Sequence, residues 1–135
     1  MLNTITRPIE KEMAMFNSYF ESQFKSDLPL LDSALRYVNE GTGKKMRPIL
    51  LLLVAKYLGN VNIKMLASAS AMEMLHTASL LHDDVIDESD KRRGRPSVNV
   101  AYNNSIAVLV GDYILSQSLN NAATTRDYRI VEELS

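Results

Sequence analysis

The stretch from Ile63 to Asp87 is built mostly of Ala, Met, Leu and Ser, interrupted by Glu73, His76 and three aspartates on the way to its end. A helix of that composition is apolar on most of its circumference, so other helices must surround it. The rest of the chain offers such helices. Ile9, Met13, Phe16, Phe20 and Phe24 recur at helical spacing behind Pro8, which predicts a helix to about Lys25, ended by Asp27–Pro29. Leu30, Leu31, Ala34, Leu35 and Val38 predict a second, broken at Gly41, Thr42 and Gly43. Pro48 opens a third, to Tyr57 or Leu58, closed by Gly59 and Asn60. After the Ile63–Asp87 helix, Glu88 to Pro96 reads as a charged loop. Further helices are expected over Asn104–Asn121 and from near Asp127. No strand-length alternation, repeat or linker interrupts this pattern, and the expected class is all-α, a helix bundle.

Composition excludes several functions. With 135 residues the chain makes one domain, and its 46% hydrophobic and 23% charged residues describe a globular protein. A net charge of -1 gives no general attraction to nucleic acid. Absence of cysteine removes disulfides, thiolate metal sites and cysteine nucleophiles. The longest apolar run, Ile49 to Ala55, is far short of the roughly 20 residues that cross a bilayer. Met1 to Pro8 lacks the apolar core of an export signal, and a cytoplasmic location is expected. The final helix has no stop signal before Ser135, which suggests a chain that continues beyond it.

Chemistry concentrates in Asp83-Asp84-Val85-Ile86-Asp87 at the C-terminal end of the long helix. Asp83 and Asp87, four residues apart, share a face at a cost of about 0.2–0.5 kcal/mol. Carboxylates at a helix C-terminus also oppose its dipole, by about 0.3–1 kcal/mol each. A bound cation reverses both penalties, and paired carboxylates are the hard oxygen ligands that Mg²⁺ takes while keeping positions open for phosphate. The other reading is a solvated acidic end neutralised by Lys91, Arg92 and Arg93. The motif alone does not choose between them.

Its neighbours in sequence favour the cation. His76 lies seven residues before Asp83, on the same face two turns earlier. Adjacent Arg92 and Arg93 can point apart and clamp two anions. Gly43-Lys44-Lys45-Met46-Arg47-Pro48 adds a basic turn leading into a helix, a natural place for an anion.

GKKMRP at Gly43–Pro48, MLHTASLLHDDVIDESDKRRGRP at Met74–Pro96 and VGDYIL at Val110–Leu115 together resemble the polyprenyl synthetase family, the trans-isoprenyl diphosphate synthases. Three blocks agree in order, spacing and residue type from about Gly41 to Leu119. The resemblance implies the N-terminal half of an antiparallel isoprenoid synthase bundle. It further implies that Asp83 and Asp87 bind Mg²⁺ on an allylic diphosphate, with Asp84 supporting the cluster and Arg92 contacting the same diphosphate. Lys44, Arg47, His76 and Arg93 match positions that hold isopentenyl diphosphate, with Lys45 the weaker candidate of the lysine pair. Gly111-Asp112 is expected to be structural.

The implied reaction ionises an allylic carbon–oxygen bond, adds the isopentenyl double bond to the cation and loses a proton. In this family the growing tail runs beside the aspartate helix, and a bulky side chain one turn before the first aspartate stops growth. Ala78 and Ser79 stand there, with Ala78 about 7.5 Å from Asp83 at 1.5 Å per residue and Met74 or Leu75 as a deeper floor. Small residues at that turn imply a long, octaprenyl-like product. C15 or C20 synthesis, a non-catalytic partner subunit and a cyclase are the competing readings. Family members are more than twice this length and carry a second aspartate-rich motif, so this chain alone is expected to be inactive. A homodimer is expected, with Ile106, Val110, Ile114 and Leu119 as one candidate interface.

Overall fold

The long apolar segment forms the central helix. A computed structural model describes residues 2–41, 43, 45–59 and 61–134. It orders them as α1 (Leu2–Thr6), a 3-10 turn (Arg7–Ile9), α2 (Glu10–Ser22), α3 (Pro29–Glu40), α4 (Met46–Leu58) and α5 (Ile63–Ile86). Then come β1 (Lys91–Arg92), β2 (Arg95–Pro96), α6 (Val98–Ala101), α7 (Asn104–Thr124) and α8 (Tyr128–Leu134). The class is all-α, as the periodicity predicts.

Helix α7 lies along α5, and α2 and α4 pack on it as well. Small side chains permit that approach: Ala67, Ala69, Ser70, Ala71 and Ala78 of α5 are all buried. Asn62 caps α5 by accepting from Met65 N at 3.1 Å, and Asn103 caps α7 by accepting from Ile106 N at 2.7 Å. Phe16 and Phe20 of α2 and Phe24 just past its end, at spacing four, form a ladder, with ring centroids 5.3 Å apart for Phe16–Phe20 and 4.8 Å for Phe20–Phe24. All three are buried, and each contributes about 1.5–3 kcal/mol.

Several boundaries differ from the sequence reading for local reasons. Helix α4 starts at Met46, two residues before Pro48, because a first-turn proline surrenders only an N–H that has no helical partner. Helix α7 continues past Asn121 to Thr124, since Ala122 and Ala123 carry no breaking signal. The charged loop contains a small antiparallel hairpin, Lys91 opposite Pro96 and Arg92 opposite Arg95. Its two-residue turn has Arg93 at φ 54° and Gly94 at φ 78°, the two positive angles that suit a tight hairpin.

The expected dimer face on α7 needs correction. Val110 and Ile114 are buried in this chain's own core, because they lie on the side of α7 that meets α5. Leu119, Leu109 and Val108 are the exposed apolar residues of this helix. No described helix is long and apolar enough to cross a membrane.

Candidate active site

The end of α5 divides its three aspartates by direction. Asp83 and Asp87 are exposed, whereas Asp84 is 2% exposed and turned into the protein. Asp84 accepts from Arg92 Nε at 2.8 Å and Nη2 at 2.7 Å, one bond to each carboxylate oxygen. This bidentate pair raises the Arg92 pKa above its ordinary value, with the hydrogen bonds to Asp84 as the main cause. Asp84 therefore anchors Arg92, and its oxygens are already committed.

Bracing continues along the loop. Ser97 Oγ and Asn99 Nδ2 both donate to Ser89 O at 2.8 Å, and Ser97 N donates to Asp90 O at 3.1 Å. The hairpin is thereby held beside α5, and a cleft opens between it, α5 and the C-terminal end of α3. Glu73, His76, Leu80 and Asp84 line it from α5; Arg92, Arg93 and Arg95 come from the hairpin; Tyr37, Gly41 and Gly43 complete it. The expected common wall of His76 and Asp83 is thus modified. The cleft face of α5 runs from His76 through Leu80 to Asp84, and Asp83 lies outside it, because one residue on a helix turns the side chain by about 100°.

The basic turn faces the same region. Arg47 Nε lies 3.5 Å from Glu73 Oε2, an oxygen that is buried without a hydrogen-bond partner among the described residues. Lys45 donates to Asn17 Oδ1 at 3.1 Å and sits 5.0 Å from the centre of the Phe20 ring. Burial lowers its ammonium below the ordinary lysine range. Its residue is left-handed, φ 56°, as is Arg93 at the hairpin tip. Lys44 lies outside the described residues. Burial, reinforced by the positive charge of Arg47, lowers the pKa of His76. A Cβ on Gly43 would overlap the Arg93 guanidinium, so glycine at this position is what admits that side chain.

The residues expected to govern product length are separated by burial. Met74 and Ala78 are buried, the first with its sulfur contacted by Asn121 Nδ2 at 3.5 Å. Leu75 is half-buried, and Ser79 is exposed, its hydroxyl donating to His76 O at 2.7 Å. A Cβ on Gly111 would come within 2.5 Å of His82 Nε2. Asp112 Oδ1 lies 3.2 Å from the same nitrogen.

Among the described residues no three His, Asp or Glu side chains gather around one point. Asp83 and Asp87 still fit a magnesium ion, which takes one or two carboxylates and fills its other positions with water and substrate phosphate. Both are exposed, and the neighbouring Asp84 is held back by Arg92.

Comparison with known proteins identifies the family. The sequence pattern of the polyprenyl synthetase family matches residues 28–135. The chain belongs to the polyprenyl synthetase family. An all-trans-nonaprenyl-diphosphate synthase (geranyl-diphosphate specific) of Rhodobacter capsulatus is 42% identical over 117 residues, covering 86% of this chain and 36% of that protein. The crystal structure of a decaprenyl diphosphate synthase from Rhodobacter capsulatus superposes with a TM-score of 0.91 at 34% identity, covering 99% of this chain and 42% of that one. A polyprenyl synthase from Caulobacter crescentus CB15, complexed with calcium and isoprenyl diphosphate, gives a TM-score of 0.89 at 29% identity over 98% of this chain and 40% of its own. The chain thus spans about two-fifths of the length of these polyprenyl synthetases, and it matches isoprenoid synthase folds throughout.

Glu73, Tyr37 and Arg95 were not singled out as site residues from the sequence. Glu73 carried a signal, a carboxylate inside an apolar helix. Tyr37 and Arg95 carried none, since their contact joins two distant segments.

Proposed function

We propose that this chain supplies the first-aspartate half of a prenyltransferase that condenses an allylic diphosphate with isopentenyl diphosphate into a long trans-polyprenyl diphosphate, octaprenyl-like in length. One observation carries the reading: His76 and the hairpin arginines Arg92 and Arg93 line a single cleft at the aspartate end of α5, with Arg47 paired to Glu73 of its wall. Asp83 and Asp87 would hold Mg²⁺, which supplies positive charge to the departing diphosphate. Arg92, fixed by Asp84, adds a pre-placed charge to that same diphosphate. Lys44, Arg47, His76 and Arg93 hold isopentenyl diphosphate. The allylic carbon–oxygen bond ionises, the isopentenyl double bond attacks the cation, and a proton leaves. The apolar side chains of α5 keep water from the cation.

Ala78 and Ser79 leave the turn before Asp83 without a bulky side chain, which supports a long product. We further propose a cytoplasmic homodimer, with Val108, Leu109 and Leu119 of α7 in its interface. The test is incubation with Mg²⁺, an allylic diphosphate and labelled isopentenyl diphosphate, followed by product sizing. The 135-residue chain alone is expected to transfer nothing. A full-length form with a second aspartate-rich motif is expected to give products well beyond C20. Failure of that form to transfer would sink the reaction, and C15 or C20 products would sink the length.

A further inference from the structure

Across the hairpin, Arg92 and Arg95 are direct partners, so two guanidinium groups project from the same face. Like charges in that position destabilise a hairpin unless something answers them. Arg92 is answered by Asp84. Arg95 has no carboxylate within ion-pair distance among the described residues, yet it lines the cleft. Its guanidinium carbon lies 3.9 Å from the centroid of the Tyr37 ring.

That stack is held from several sides. Tyr37 Oη donates to Pro96 O at 2.6 Å, tying the aromatic ring to the strand that carries Arg95. Tyr102 meets Tyr37 edge-on at 5.9 Å, and its own hydroxyl is 2.9 Å from Ser33 Oγ. A Cβ on Gly41 would stand 3.0 Å from Arg95 Nη1, so glycine there keeps the path of the guanidinium open. An aromatic face holds the carbon plane of arginine while leaving its N–H groups free to bind an anion bidentately.

We propose that Arg95 is a diphosphate-binding residue of this cleft, acting beside Arg93, and that Tyr37 is its positioning residue. The ligand chemistry is a diphosphate, and under the proposed function it is that of isopentenyl diphosphate, on which this inference rests for its substrate.

The experiment compares the wild-type protein with Arg95→Met, Arg95→Lys, Tyr37→Leu and Tyr37→Phe. It measures binding of inorganic diphosphate by calorimetry and, in the full-length form, KM for each substrate. Circular dichroism verifies that each variant is folded. Loss of charge-assisted hydrogen bonds from Arg95→Met is expected to weaken diphosphate binding by about tenfold to a hundredfold. Lysine should recover only part, because it lacks the bidentate fork. The KM for isopentenyl diphosphate should rise while that for the allylic substrate, tied to Arg92, holds. Tyr37→Leu should repeat the Arg95→Met pattern in weaker form, and Tyr37→Phe, which keeps the ring, should restore most of it. Equal diphosphate binding by wild type and Arg95→Met overturns the assignment, as does a wild type that binds no diphosphate. A rise in both KM values together also overturns it, since Arg95 would then only pin the hairpin. Diphosphate binding that depends on Arg95 in a protein without prenyl transfer would leave the Arg95 site standing and defeat the proposed reaction instead.

Discussion

Arg92 reaches back eight residues to donate to both oxygens of Asp84, and the two partners differ sharply in exposure: the Asp84 side chain is 3% exposed and that of Arg92 39%. Removing one partner therefore has unequal effects. Arg92→Ala strands a buried carboxylate and is expected to cost about 3–5 kcal/mol. Asp84→Ala leaves a guanidinium that can turn to water, and about 1.5–3 kcal/mol is expected from the lost charged hydrogen bonds. Urea unfolding of both variants measures the difference. A larger loss for Asp84→Ala would mean that the pair is not the dominant support of the hairpin.

Ala78 and Ser79 are adjacent in sequence but separable in experiment. Ala78 is 1% exposed, so Ala78→Phe overpacks the core and is expected to cost about 1–3 kcal/mol. Ser79 is exposed, and Ser79→Phe should leave the melting temperature within about 2 °C while shortening the product of the full-length enzyme. Unchanged product length with Ser79→Phe would remove this turn as the determinant.

His76 has a folded pKa below its ordinary 6.5, through burial first and the charge of Arg47 second. The unfolded chain therefore takes up the proton first as pH falls. Stability is whole above about pH 6.5 and declines as pH drops from there to the folded value. His76→Gln should flatten that part of the curve of melting temperature against pH. An identical slope in the variant would count against the burial of the imidazole.

Asp127 is held well below the ordinary carboxylate range, chiefly by Arg129 and then by Lys64, whose Nζ lies 2.9 Å away. With a depressed folded pKa, its contribution is present above the ordinary carboxylate value and fades as pH falls toward the folded one. Asp127→Asn should lower the melting temperature at pH 7 and converge on wild type in strong acid. A constant gap at every pH would point to a packing effect rather than charge.

Gly43→Ala should leave the fold nearly intact, within about 0.5 kcal/mol, because the group in the way is the far end of a flexible side chain. Arg93 must move, and calorimetry with inorganic diphosphate should register weaker binding. Unchanged affinity would show that Arg93 does not need its present position.

Much of the fold was legible because local signals and burial agree. The Phe16–Phe20–Phe24 spacing and the glycine after Leu58 each point to the structure that forms. The hairpin was missed because two-residue strands have no periodicity to detect, although Gly94 marked its turn. The interface on α7 was misjudged because an all-round apolar helix does not declare which face meets α5.

The sequence by itself determined the class, the family and the chemical groups on offer, because helical spacing, three motif blocks and clustered like charges are properties of residues near one another in the chain. Only the tertiary structure decided which aspartate turns inward, which arginine it takes, and that Arg95 lies on Tyr37. Those choices depend on segments dozens of residues apart being packed together. A side chain's partner is set by what the fold brings within about 3 Å of it, and no local pattern encodes that.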